Sequence, residues 1–493
     1  MPQRKPVKKS DKPTVVFIGS ECYPFVKTGG LGDVMYALPK ALVQLGWEVR
    51  VLIPDYRVIK PEHKEKMVYR GSFYMDLTTD CRQIYVGIME HIADGVIYDF
   101  IDNEEFFTAG NPYTTLGDDV HRFCYFCKAS LAALNYMEVA PDIIHCHDWQ
   151  AGLIPIYLKT TFKDTPVGKS KSVITIHNLR FQGVHNVPHM KYWSNLPDST
   201  FGYDAMLFND DANMFKGGIA YADLITTVSE TYAKEIQTAE YGEMLESHLQ
   251  YHKDKLVGIV NGIDVNQWDP ANDNLIAAKY STKNAIEGKD ANKLALQKEL
   301  GLDEGKDKFI VGLISRLTNQ KGLDLVSAVV DDFVDDNTQF VVLGTGDAEY
   351  EEDFREAEKK YPGKVSAQIM YDEALSHKIY AAVDVLLVPS KFEPCGLTQL
   401  IAMRYGTAPV VRETGGLKDT VEPFDAKADT GNGFTFVDYD AEKLLGAITD
   451  AKDLFNDDRA AWDRMVVRNM EKDVSWTASA QKYDEYYKQL LGK

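Results

Sequence analysis

Short apolar runs alternate along the chain with longer amphipathic stretches. The runs TVVFIG (14–19), WEVRVLIP (47–54), DIIHCH (142–147), SVITIH (172–177), LITTVS (224–229) and LVGIVNG (256–262) are rich in β-branched and aliphatic residues. Such continuous apolar runs read as strands buried on both faces, the mark of parallel sheets. Helical patterning follows them, for example over residues 33–45. A second series begins at KFIVGLIS (308–315) with a helix over 322–333, then QFVVLG (339–344), KVSAQIM (364–370), VDVLLVPS (383–390) and TAPVVR (407–412), each with a helical stretch after it. Strand–helix alternation predicts doubly wound sheets. The expected fold class is α/β, with two Rossmann-like domains facing a cleft.

The expected divisions are a disordered basic tail over residues 1–13, a first domain over 14–261, a second over 262–473, and a helix over 474–493. Trp476, Tyr483, Tyr487 and Leu490 fall at helical spacing in that last segment. It follows the second sheet and is free to pack back on the first domain. The chain has 493 residues, enough for such cores. Its 54 Lys and Arg against 74 Asp and Glu leave a net charge of -20, which argues against nucleic-acid and anionic-membrane partners. No run is apolar for long enough to span a bilayer, and the basic N-terminus lacks the apolar core of a secretory signal. The six cysteines are sparse and unpatterned, which points to a reducing cytoplasm. Cys124 and Cys127 form a C-x-x-C pair, best read as two core-facing positions of a helix rather than a metal site.

Strand ends are where ligands bind in such sheets, and the unusual residues gather there. After the first strand, SECYPFVKTGGLGDV (20–34) places Gly29, Gly30 and Gly32 at a helix start, with Lys27 beside them. Glycines let a ligand approach the backbone, and a helix N-terminus with a lysine favours phosphate. The glycine order fits neither a dinucleotide fingerprint nor a P-loop. HCHDWQAGL (145–153) supplies His147, Asp148 and Trp149, and TIHNLRFQG (175–183) supplies His177 and Asn178. Carboxylates that accept from hydroxyls and rings that stack on sugar faces suit a carbohydrate. In the second half, ISRLTNQKGLDL (314–325) offers Arg316 and Lys321 for a diphosphate. VPSKFEPCGLTQLIAMRYG (388–406) offers Glu393 for a sugar hydroxyl and Gly396, Leu397 and Thr398 at a helix start. RETGGLKDTV (412–421) repeats the device with Gly415 and Gly416.

Taken together, KTGGLGDV, HCHDWQAGLIP, TIHNLRFQG, VNGID, SRLTNQKGLDL, SKFEPCGLTQL and RETGGLKDTV make the chain resemble the bacterial glycogen synthases and plant starch synthases, glycosyltransferase family 5. The resemblance covers nearly the whole chain. It implies the glycosyltransferase B fold and transfer of glucose from ADP-glucose to the non-reducing end of an α-1,4-glucan, glycogen or a maltooligosaccharide, with retention of configuration. It implies no cofactor and no metal. By the same resemblance Lys27 and Gly30 meet the distal donor phosphate, and Arg316 and Lys321 neutralise the diphosphate. Gly396, Leu397 and Thr398 offer it backbone amides, and Tyr371 stacks on adenine. His177 and Glu393 attend the transferred glucose, and Glu21, Asp148 and Asn178 line the acceptor side. Asp33 and Asn261 join the site.

Two positions depart from wider patterns. Ile401 stands where many proteins of this fold carry a second glutamate, and Gly32 where some bacterial members have alanine. Alternative readings are a UDP-glucose-dependent synthase or related glycosyltransferase, and a non-catalytic glucan-binding homologue. The presence of Lys27, His177, Arg316, Lys321 and Glu393 argues against the second. No segment resembles the pyridoxal-phosphate lysine of a phosphorylase.

Overall fold

The computed structural model describes residues 12–108 and 110–493. The basic tail expected at the N-terminus falls outside the described residues, save for residues 12 and 13. The chain divides into two compact units. The first holds the residues up to Val228, then Ala233–Asn261 and Trp476–Lys493; the second holds Ser229–Tyr232 and Gly262–Ser475.

The first unit is built on a nine-stranded sheet. Its order is Leu256–Gly258, Leu224–Thr227, Lys171–Ile176, Ile143–His147, Thr14–Ile18, Glu48–Pro54, Val96–Asp102, Gln83–Ala93 and Val68–Asp76. The first seven are parallel, and each of the last two pairs antiparallel with the strand before it. Val15, Val16, Phe17, Ile18, Val49, Val51 and Ile144 have no exposed surface, as two-sided burial requires. The helix read over 33–45 runs Gly30–Gln44, so Gly30 and Gly32 lie in its first turn rather than ahead of it. The three strands Val68–Asp76, Gln83–Ala93 and Val96–Asp102 are not among those read from the sequence. A small antiparallel sheet, Val184–Asn186, Asp211–Asn213 and Leu207–Phe208, is a further addition.

Helix Trp476–Leu490 belongs to this first unit. It is pinned there by buried aromatic groups. The Tyr487 ring meets Trp47 edge-on at 5.3 Å, the Trp47 indole N–H donates to Asp484 at 2.8 Å, and the Tyr487 hydroxyl lies 2.6 Å from His145 Nδ1. Cys124 and Cys127 sit buried in helix Leu116–Tyr136, facing the core.

The second unit carries a six-stranded parallel sheet in the order Val365–Gln368, Thr338–Leu343, Phe309–Ile314, Val385–Val388, Ala408–Arg412 and Phe434–Phe436. Five of the six match apolar runs of the sequence. Its core gathers Val311, Leu313, Val342, Leu386 and Val410 against helices Leu323–Phe333 and Ala441–Asp457. No described helix is long and apolar enough to cross a membrane.

Candidate active site

In the first unit, candidate residues cluster at the carboxyl ends of the strands Thr14–Ile18, Ile143–His147 and Lys171–Ile176. The loop after the first of these is organised by Glu21. Its buried carboxylate accepts from the Thr28 backbone N–H, from the Thr28 hydroxyl at 2.7 Å, from the Gly29 N–H at 3.3 Å and from the Tyr113 hydroxyl. Tyr113 also lies 2.8 Å from Ser20 Oγ. Glu21 therefore fastens the glycine turn to the strand end. Lys27, on that turn, pairs with Asp33 in the first helical turn at 2.8 Å. Both remain partly exposed, so Asp33 is a counter-ion that an incoming anion would have to displace or share.

Asp148 has a positive φ of 56°, rare for a residue with a side chain. Its carboxylate accepts from the His177 N–H at 2.8 Å and the Asn178 N–H at 3.4 Å, bracing the turn after the neighbouring strand. Burial pushes the Asp148 carboxyl up to about 7, against the opposing effect of those two amides. Burial drives the His177 imidazole down to about 3, so it is neutral at ordinary pH. His177 Nε2 lies 2.9 Å from His147 Nδ1. Asn178 Oδ1 accepts from the Arg180 N–H at 3.1 Å. Asn261, at the end of this unit's middle segment, is buried, and its Oδ1 has no partner among the described residues.

The second unit holds the other candidates in three loops. Arg316 is exposed two residues beyond strand Phe309–Ile314, and Lys321 ends the short helix Asn319–Lys321. Lys321 Nζ donates to Glu393 Oε2 at 2.6 Å, and Ser390 Oγ donates to the same oxygen at 2.9 Å. Two further bonds tie the loops together: Lys391 N–H to the Gln320 carbonyl at 2.9 Å, and the Gln320 amide to the Phe392 carbonyl at 3.2 Å. Glu393 is buried, and its backbone carbonyl accepts from Gly416 N–H at 3.2 Å. A Cβ at Gly415 (φ +45°) would stand 2.0 Å from that carbonyl oxygen, so only glycine fits. Gly396 (φ +73°) and Leu397 lead into helix Thr398–Arg404, and the Gln399 amide closes the turn on the Cys395 and Gly396 carbonyls. Tyr371 projects from the loop after strand Val365–Gln368 and is 82% exposed.

Each unit thus gathers most of its candidates within neighbouring loops, while Asn261 and Tyr371 follow the edge strands Leu256–Gly258 and Val365–Gln368. Three side chains of this arrangement carry no role in the sequence reading, Ser20, Tyr113 and Ser390, and His147 was read only as one of the strand-end groups suited to a carbohydrate. Tyr113 and Glu21 are 92 positions apart, and nothing local connects them. His147 stands in a motif already singled out, two residues after His145 on the same strand, and that histidine pair was the available signal.

The family models match in two parts: "Starch synthase catalytic domain" over residues 14–251 and "Glycosyl transferases group 1" over 296–464. A glycogen synthase of Lachnospira eligens is 50% identical over 477 residues, 97% of this chain and 99% of that protein. One from Geobacillus stearothermophilus is 43% identical over 480 residues, 97% and 98% of the two chains. Among solved structures, the catalytic domain of starch synthase IV from Arabidopsis thaliana, bound to ADP and acarbose, is similar with a TM-score of 0.90 and 34% identity, over 98% of this chain and 100% of that one. The sucrose-phosphate synthase of Thermosynechococcus elongatus, at 18% identity and a TM-score of 0.63, shares the fold. With identity of this extent running the length of both units, the chain belongs to the glycogen and starch synthases, retaining hexosyltransferases of the glycosyltransferase B fold.

Proposed function

We propose that this glycogen synthase takes glucose from ADP-glucose and adds it to the non-reducing end of an α-1,4-glucan, in the cytoplasm. The observation that carries the donor is the starch synthase likeness, a protein solved with ADP and acarbose at 34% identity. The residue roles are part of the proposal. Lys27 and Gly30 serve the distal phosphate; Arg316, Lys321 and the amides of Gly396, Leu397 and Thr398 serve the diphosphate, and Tyr371 serves adenine. His177 and Glu393 hold the transferred sugar; Glu21, Asp148 and Asn178 serve the acceptor, with Asp33 and Asn261 in support. The first unit then carries acceptor and catalytic groups, and the second the nucleotide sugar.

As the glycosidic bond to phosphate breaks, the sugar becomes oxocarbenium-like and the leaving diphosphate gains charge. Cations placed at that diphosphate stabilise the transition state more than the ground state. In a front-face reaction the leaving phosphate takes the acceptor proton, and no protein nucleophile is needed. The Lys321 and Ser390 bonds to Glu393 Oε2 support this choice, since a carboxylate oxygen so engaged is a poor nucleophile. Its other oxygen suits a sugar hydroxyl. Six cysteines that form no disulfide among the described residues, five of them buried, support the reducing location.

The test is transfer of radiolabel to glycogen from ADP-glucose and UDP-glucose side by side. Preference for ADP-glucose is expected. Equal or greater transfer from UDP-glucose overturns the donor assignment, and no transfer from either overturns the activity.

A further inference from the structure

Three histidines stack at the strand ends of the first unit, and the sugar-side role proposed above uses only one of them. His145 and His147 lie on strand Ile143–His147, and His177 follows the parallel strand Lys171–Ile176, whose Thr175 stands opposite His147. The His147 ring is held between Phe17, stacked at 5.3 Å and 18°, and His145, at 4.2 Å between centroids. His177 stacks beyond it at 5.2 Å and 27°. His147 has no exposed surface.

The two rings share one hydrogen between His147 Nδ1 and His177 Nε2, 2.9 Å apart. Burial holds both imidazoles neutral, so each carries a single N–H. Two arrangements satisfy that count. If His177 donates from Nε2, His147 must carry its own proton on Nε2. That atom is buried with no partner among the described residues, and orphaned buried N–H groups are rare and costly. If His147 donates from Nδ1, its Nε2 keeps only a lone pair and no N–H is stranded.

We infer that His147 is a positioning residue for His177: by donating from Nδ1 to His177 Nε2 it fixes the tautomer of His177 whose proton lies on Nδ1. The hydrogen bond made by one imidazole nitrogen sets what the other can do. His177 then offers the sugar a neutral N–H donor of fixed direction, one that matches a hydroxyl oxygen acting as acceptor. This consequence rests on the sugar-side role of His177; the tautomer assignment does not.

The test is 15N NMR of the full chain labelled at histidine, with His177 assigned by its loss in His177→Gln, alongside steady-state kinetics with ADP-glucose and glycogen. In the unaltered protein the His177 resonances should show protonation at Nδ1. In His147→Leu they should shift toward protonation at Nε2. Turnover should then fall about tenfold, the low end of what losing the partner that orients a metal-ligating histidine costs, with little change in the KM for ADP-glucose. His147→Asn places an amide donor near the position of Nδ1 and should restore the Nδ1-protonated form and most of the turnover. An Nε2-protonated His177 in the unaltered protein overturns the inference, as does a His147→Leu variant with unchanged tautomer and turnover. Should the leucine variant fold poorly, the unaltered spectrum and His147→Asn decide the matter. Full activity in His177→Gln would overturn the sugar-side role alone and leave the tautomer result standing.

Discussion

Lys27 is the cation on the turn that Glu21 builds, so removing its charge tests the phosphate role without touching the sheet. Lys27→Ala should lower turnover about a hundredfold, the roughly 3 kcal/mol expected for losing one stabiliser of a developing anion. Its thermal unfolding should be unchanged, because the pair with Asp33 is partly exposed and contributes little. Initial rates and melting curves measured together check both halves. Gly415→Ala should behave differently. Its new Cβ would collide with the Glu393 carbonyl at a positive φ, a strain of about 1–3 kcal/mol. Stability and turnover should fall together, since Glu393 would have to shift; an alanine variant of native stability and native rate would sink the claim. Residues of this kind were partly legible in the sequence. The glycines, Lys27 and Glu393 stood out because they sit after apolar runs. Glu21 carried an expected role only through the family resemblance, and its grip on Thr28, Gly29 and Tyr113 emerges from folding.

Between elements, most parallel strands were easy to read, since burial on both faces leaves an unbroken apolar run such as Val15–Ile18, whereas in the parallel strand Val96–Asp102 the residues Asp99 and Asp102 interrupt the run. The antiparallel pair Val68–Asp76 and Gln83–Ala93 lacked that signal. Val68, Tyr69 and Tyr74 on the outer strand are exposed, and the partner alternates inward and outward positions. Phe434–Phe436 was missed because three residues make too short a run. The last helix shows the cost of losing one element. Tyr487→Ala removes a fully buried ring against Trp47 and a hydroxyl against His145. It should destabilise the protein by about 3–5 kcal/mol, as large-to-small aromatic changes in cores do. Denaturant unfolding followed by tryptophan fluorescence would register it.

Across the whole molecule, buried titratable groups set the response to acid. Burial lowers His145 and His147 well below their ordinary values, His177 to about 3, and His248 and His252 to about 4. A depressed histidine contributes stability that is present above about pH 6.5 and lost as pH falls through the folded value. Asp99, raised to about 6, and Asp148, raised to about 7, act oppositely: their contribution is full below about pH 3.8 and is lost as pH rises. Five imidazoles outweigh two carboxyls, so stability should decline from pH 6.5 toward pH 4, by about 1.4 kcal/mol per pH unit for each uncompensated proton. Melting temperatures across that range check the sign; a flat or rising profile toward acid would refute it.

The placement of helix Trp476–Leu490 also bears on how the protein is made. The first unit cannot be completed when its own sheet leaves the ribosome, because the piece that covers Trp47 and engages His145 is encoded after the second unit. About 210 residues intervene, which at usual elongation speeds is roughly 10–40 s. Throughout that interval the nascent first unit carries an uncovered apolar face. Chaperone dependence during synthesis should therefore fall on the half that emerges first, and slowing translation within the second half should lengthen its exposure.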